Sequence, residues 1–249
     1  MYFTILLHKI SLDKRVRELV FVGDLFDDWL YPPGERPLTI RETIGAWKDS
    51  LFMAPLRSCI ERLDAVWYLP GNHDMHVTPQ DLADLSAGGK NLRIADPKEF
   101  SDAHPMSCGT RLAVEHGHEA DFFNAPDRHP EAIRALPFGY FVARIFAATE
   151  THVSGATVTV DKLFRAAYSR VATATLSEKR GDSRESRMGR LFIRFFVDAL
   201  VLYVNGKIPE EERIHDRTRI LLPRSEGAGD GRESVTVREV KECYSWLLD

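Results

Sequence analysis

The first part of the chain alternates short apolar runs with stretches of helical spacing. Glu18-Leu19-Val20-Phe21-Val22 is a β-branched and aromatic run that stops at Gly23-Asp24. It predicts a buried strand that hands its last residues to a loop. Residues 38–63 have mostly helical apolar spacing, which Pro55 should kink or divide. Ala65-Val66-Trp67-Tyr68-Leu69 predicts a second strand, ending at Pro70-Gly71 ahead of Asn72-His73-Asp74. Arg111-Leu112-Ala113-Val114-Glu115 predicts a third, ending at His116-Gly117-His118. Three strands thus each end in a polar cluster, and in layered α/β folds such clusters converge beyond the strand ends.

After about residue 130 the pattern changes. Residues 132–148, 158–176 and 190–204 have helical spacing with no comparable strand between them, which predicts a helical lobe. Within it Phe192, Ile193, Phe195, Phe196, Leu200 and Leu202 form the lobe's own core, with the lining of an apolar cleft as the alternative. Residues 179–190 (KRGDSRESRMGR) carry five basic residues and read as a solvated loop, with contact to an anionic substrate as the alternative. Residues 224–233 hold three glycines and read as a flexible loop before the helix-like stretch 235–248.

Composition narrows the class. The 249 residues are 44% apolar, 28% charged and 10% aromatic, enough for one large domain or two small ones with a buried core. Lys and Arg number 33 against 37 Asp and Glu, so the net charge of −4 supplies no global attraction to nucleic acid or to an anionic membrane. Cys59, Cys108 and Cys243 are too few and too scattered for a disulfide framework or a zinc knuckle, and fit a reducing compartment. No apolar run reaches the roughly 20 residues of a membrane span. The N-terminal MYFTILLHKI lacks the basic region and cleavage site of a signal peptide, so a cytoplasmic protein is expected.

The three polar clusters carry the chemistry. Asp24, Asp27 and Asp28 follow the first strand, Asn72, His73 and Asp74 the second, and His116, His118 and Glu119 the third. Carboxylate, amide oxygen and imidazole suit manganese, iron or zinc and, less readily, magnesium; the lack of a thiolate disfavours a structural zinc site. Each cluster alone reads equally as an ordinary turn. Their order, all at strand ends, makes coincidence hard to sustain.

With GDLFDDW, GNHD and VEHGHEAD in place, the sequence resembles the calcineurin-like metallophosphoesterases, in their Gly-Asp-x-x-Asp, Gly-Asn-His-Asp and later strand-end histidine blocks. The His-Gly-His-Glu form and the helical lobe look most like the UDP-diacylglucosamine pyrophosphohydrolases. The specific motifs span residues 18–124. The resemblance implies an α/β fold of the two-sheet β-sandwich type flanked by helices, with a helical lobe. It divides the chain into an incomplete core (1–129), the lobe (130–222) and a loop and helix returning to the core (223–249). It further implies that Asp24 bridges two metal ions and that Asn72 and His116 ligate the second. His73 would serve as general acid oriented by Asp27, and His118 would lie near the substrate. The expected cofactor is manganese, with iron or zinc as alternatives. The expected substrate is a phosphorylated small molecule or a nucleotide-linked pyrophosphate. Histidines 8, 76, 104, 129, 152 and 215 read as surface or structural.

Two family blocks have no counterpart here. No Asp-x-His precedes Gly23, and no Gly-His-x-His follows His116. Residues 2–16 resemble the helix after the family's first strand and residues 235–249 the helix leading to its last motif, so the chain reads as the middle of a phosphoesterase. Truncation, a misassigned frame and a degenerate paralogue all fit. The expectations are a depleted two-metal site, reduced or absent activity, and a strand edge left unpaired. A non-catalytic remnant or binding module is the alternative, and an oligomer sharing ligands between subunits the third.

Overall fold

A computed structural model of the chain describes residues 2–106, 109–121, 123–128, 133–149, 165, 184–223 and 233–244. The chain forms two compact units, Met1–Asp28 with Leu38–His118, and Trp29–Pro37 with Glu119–Asp249. The described residues hold seven α-helices and five strands, a mixed α/β architecture.

In the first unit the order is α1 (Tyr2–Leu12), β1 (Glu18–Val22), α2 (Ile40–Trp47), α3 (Met53–Arg62), β2 (Ala65–Leu69), β3 (Arg93–Ile94) and α4 (Pro97–Ala103). The strands form one parallel sheet in the order β1-β2-β3, with Glu18 opposite Ala65 and Val22 opposite Leu69. As the central strand, β2 buries Ala65, Val66, Tyr68 and Leu69, which is why its sequence is continuously apolar. On one face Phe21 and Tyr68 pack with Leu7 of α1 and with Leu56, Cys59 and Ile60 of α3. On the other, Leu69, Ala95 and Phe100 pack with Val20, Trp67 and Val114.

Local chemistry sets the helix ends. Thr39 with Glu42 and Asp96 with Glu99 form reciprocal capping boxes at α2 and α4. The helical stretch 38–63 does divide, at residues 48–52. Pro55 falls in the first turn of α3, where a missing N–H removes no intrahelical bond.

Residues 111–115 depart from expectation. They form no strand; the backbone of Arg111 makes an isolated bridge to Pro105 while its guanidinium pairs with Asp102, and Leu112 N donates to His104 O at 3.3 Å. Only Val114 packs against the sheet, while Arg111, Leu112, Ala113 and Glu115 are exposed. The place beside β2 is taken by Arg93–Ile94, so the run has neither a ladder nor a buried face to hold it extended.

The second unit contains α5 (Phe138–Ala147), α6 (Arg184–Asn205), β4 (Arg219–Leu221), β5 (Ser234–Thr236) and α7 (Val237–Cys243), with β4 and β5 antiparallel. Phe138, Phe141, Ile193, Phe196, Leu200 and Tyr244 are buried, so the apolar stripe of α6 is core, while Leu202 at its edge is 64% exposed. The excursion 29–37 is tied in by Leu221 N donating to Pro33 O at 3.1 Å, and by buried Arg144, which donates to the carbonyls of Glu35 and Leu221. Arg184–Arg190, expected as loop, are the first turns of α6. The stretch 235–248 opens in β5 before Thr236 caps α7 through Glu239. Residues 158–164, 166–176, 179–183 and 224–232, with His129 and His152, lie outside the described residues. Among the described residues no helix is long and apolar enough to cross a membrane.

His104 joins α4 to β1. Its Nδ1 donates to Phe100 O (2.7 Å) and its Nε2 meets Glu18 Oε2 (2.7 Å), which also accepts from Trp67 Nε1 (3.0 Å). The Glu18 hydrogen bond and the Phe100 carbonyl raise the His104 pKa, and the same bond lowers that of Glu18. The histidine's contribution is full below its unfolded value near 6.5 and is lost as pH rises through its higher folded value. The glutamate's holds above 4.5 and is lost as pH falls through its lower folded value. Glu18 is partly exposed, so the latch is worth about 1 kcal/mol or less. Between pH 6.5 and 9 the unfolding temperature of the wild type should fall more than that of His104→Gln; parallel curves would dismiss the latch.

Candidate functional site

Because β1 and β2 run parallel and in register, their C-terminal ends lie side by side, and the loops after Val22 and Leu69 leave from the same edge of the sheet. Gly23 N donates to Leu69 O at 2.7 Å, extending the ladder by one residue before the chain turns. The turn uses positive φ at Gly23 (75°) and, unusually for a residue with a side chain, at Asp24 (52°). No side chain fits at Gly23 or Gly71. A Cβ at Gly23 would lie 2.3 Å from His116 Cδ2 and 2.9 Å from Gly71 Cα, and one at Gly71 2.2 Å from Asp24 Oδ1. The two glycines let three loops close on one another.

Five of the six residues singled out from the sequence form one chain of contacts. Asp24 Oδ2 is 3.1 Å from His116 Nε2, and Asp24 Oδ1 accepts from His73 N at 3.1 Å. His73 Nδ1 is 3.1 Å from Asp27 Oδ1, and His116 Nδ1 is 3.2 Å from His118 Nδ1. The sixth, Asn72, is 3% exposed in the same loop as His73. His116 reaches Asp24 although no strand carries it there; Val114, seated on the sheet face two residues earlier, anchors its approach.

Electrostatics sharpen the Asp27–His73 pair. Burial pulls the imidazole pKa down, but the hydrogen bond and charge of Asp27, with Asp24 and Asp28 behind it, outweigh this and leave the value raised. The three carboxylates thus stabilise the charged form of the ring.

Asp74, which the sequence suggests as a turn residue or a support behind the site, organises both loops. Its carboxylate is 1% exposed and accepts from Gly71 N (2.7 Å), Phe26 N (3.1 Å), Asp24 N (3.4 Å) and the Tyr68 hydroxyl. Burial, then the adjacent Asp74 charge, push the Tyr68 hydroxyl pKa well up, so it stays a donor. The available sequence signal was a tyrosine inside a buried strand, whose hydroxyl needs a partner; which partner depends on the fold.

Asp24 Oδ2 and His116 Nε2 are separated as two neighbouring donors to a single ion would be, since ligands about 2.1 Å from a metal at right angles lie about 3 Å apart. Their chemistry, carboxylate and imidazole, suits a transition-metal ion. Among the described residues no group of three or more His, Cys, Asp or Glu stands together to hold a metal.

No family model matches the chain, and neither do the curated proteins or the solved structures. Residue chemistry and geometry therefore carry the functional reading.

Gly23→Ala should cost about 2 kcal/mol or more, from its positive φ and the clash with His116. Asp74→Ala should cost about 3 kcal/mol by leaving buried donors unpaired. Urea midpoints measure both, and values within error of wild type would mean that the loops are not held in this way.

Proposed function

We propose that this cluster is a metal-dependent phosphoesterase site, acting on a phosphomonoester, a phosphodiester or a nucleotide-linked pyrophosphate. The supporting observation is that Asp27–His73 and Asp24–His116, from three distant segments, meet within hydrogen-bond distance at one strand edge. Asp24 and His116 would be metal ligands with Asn72. A divalent ion held there, manganese or alternatively iron or zinc, supplies charge neutralisation at the phosphoryl group and a lowered pKa for an attacking water. Asp27 fixes the His73 ring and leaves Nε2 to donate a proton to the leaving oxygen. His118, against His116, is positioned to steady that ring or to meet the substrate.

The two-sheet sandwich of the resembled family, its lobe and a cytoplasmic setting belong to the same reading. Reduced or absent turnover, expected from the two family blocks without a counterpart in this sequence, belongs to it as well, and a non-catalytic metal-binding module is the second reading.

The test is hydrolysis of a nitrophenyl phosphodiester with added manganese, alongside elemental analysis after buffer exchange. The wild type should retain about one equivalent of metal and a slow manganese-dependent rate. Asp24→Ala should lose both, and His73→Ala should keep the metal while losing about 10²-fold in rate. Retained metal with no rate would select the binding module. Equal rates and metal contents in all three proteins would abolish the site.

A further inference from the structure

Among the described residues β1 has a ladder partner on one side only. The bonds from Gly23 N to Leu69 O and from Asp64 N to Arg17 O show that its odd-numbered positions face β2. In a parallel ladder alternate residues bond to opposite sides, so Glu18, Val20 and Val22 turn their N–H and C=O groups toward the open edge. The strand, Glu-Leu-Val-Phe-Val, has no lysine, no proline and no bulge to protect its edge, and its one charge, Glu18, stands at the first position.

The adjoining helix is exposed in a matching way. α1 leads into β1 and packs beside α3, which leads into β2, with Phe3 against Phe21 at 6.2 Å between ring centroids. The side of α1 away from α3 therefore borders the open edge. Its solvent face carries Tyr2, Ile5, Leu6 and Leu12, which are 84%, 45%, 51% and 66% exposed, with His8 and Lys9 as the exposed polar residues beside them. A helix face that is largely apolar is one that is normally covered.

We propose that a second copy of this chain covers the surface, pairing β1 with β1 antiparallel about a two-fold axis through Val20. Three observations select that occupant. Antiparallel self-pairing sets Val20 opposite Val20 and Glu18 opposite Val22, so that all three outward-facing residues find partners, in about six backbone hydrogen bonds. It also keeps the two acidic ends apart. The leading end of β1 balances Lys14, Arg15 and Arg17 against Asp13, Asp64 and Glu18, while the trailing end carries Asp24, Asp27 and Asp28. Finally, four such side chains offer on the order of 500 Å², and the strand edge brings this near the roughly 800 Å² per partner of a stable interface. A parallel β1–β1 pairing would instead bring the two acidic trailing ends together.

Sedimentation velocity on the full chain from about 1 to 100 µM tests this. The wild type should be a concentration-dependent dimer. Ile5→Glu and Leu6→Glu, at half-exposed positions, should keep the wild-type circular dichroism while raising the dissociation constant at least tenfold. Val20→Cys should form an intermolecular disulfide on mild oxidation and Leu19→Cys should not, since only position 20 meets itself within the 5.5–6 Å Cα separation that a disulfide needs. A folded wild type that stays monomeric overturns the proposal. So do open-ended oligomers, or a dimer untouched by the glutamates and without the Val20→Cys cross-link, which would point to a different surface.

Discussion

The in-register parallel pairing of β1 with β2 is the constraint on which the first unit depends. With Val22 opposite Leu69, two segments almost fifty residues apart end at the same height, and whatever follows each strand meets whatever follows the other. The approach is closer than side chains permit, which explains glycine at both crossing points. Gly23 also supplies the backbone angle that reverses the chain. Asp24 sits in a left-handed conformation just beyond, a cost of order 1–3 kcal/mol that its surroundings must offset.

The compensation comes from Asp74. A carboxylate buried at 1% exposure would ordinarily destabilise the fold, yet it receives three backbone N–H groups and the Tyr68 hydroxyl, and so ties the loop after β1 to the loop after β2. The exposed carboxylates of Asp24 and Asp27 then stand on a rigid base. The cluster thus separates its duties: a buried aspartate sets the geometry, and accessible aspartates and histidines face outward with their charges available. The resulting accumulation of negative charge holds the His73 imidazole toward its cationic form.

The same sheet is strong at its centre and open at its margin. β2 is sealed on both faces and both edges, whereas β1 is bonded on one side and bordered by the apolar face of α1. Among the described residues three strands make up this layer, few for an α/β sheet, and β1 is its edge strand. The Glu18–His104 contact works against this on the opposite face of β1, fastening α4 where the sheet has least support.

How much was legible in advance differs by element. β1, β2 and the division of residues 38–63 were readable because their signals are local: continuous apolar runs closed by glycine, and a proline that a helix interior does not tolerate. The candidate residues were readable as residue types, because carboxylate, amide and imidazole at strand ends are chemically conspicuous wherever they occur. The failure of residues 111–115 to form a strand was not legible, since β-structure is decided by what lies alongside, and Arg93–Ile94 already held the available edge. Nor was the helical start of α6, or the excursion of residues 29–37 into the second unit, which is set by distant partners such as Arg144 and Leu221. Sequence alone determined which groups the chain could bring to a site. Tertiary structure alone decided that Asp24, His73 and His116 meet, because distances between segments fifty residues apart are a property of packing and pairing, and no local pattern encodes them.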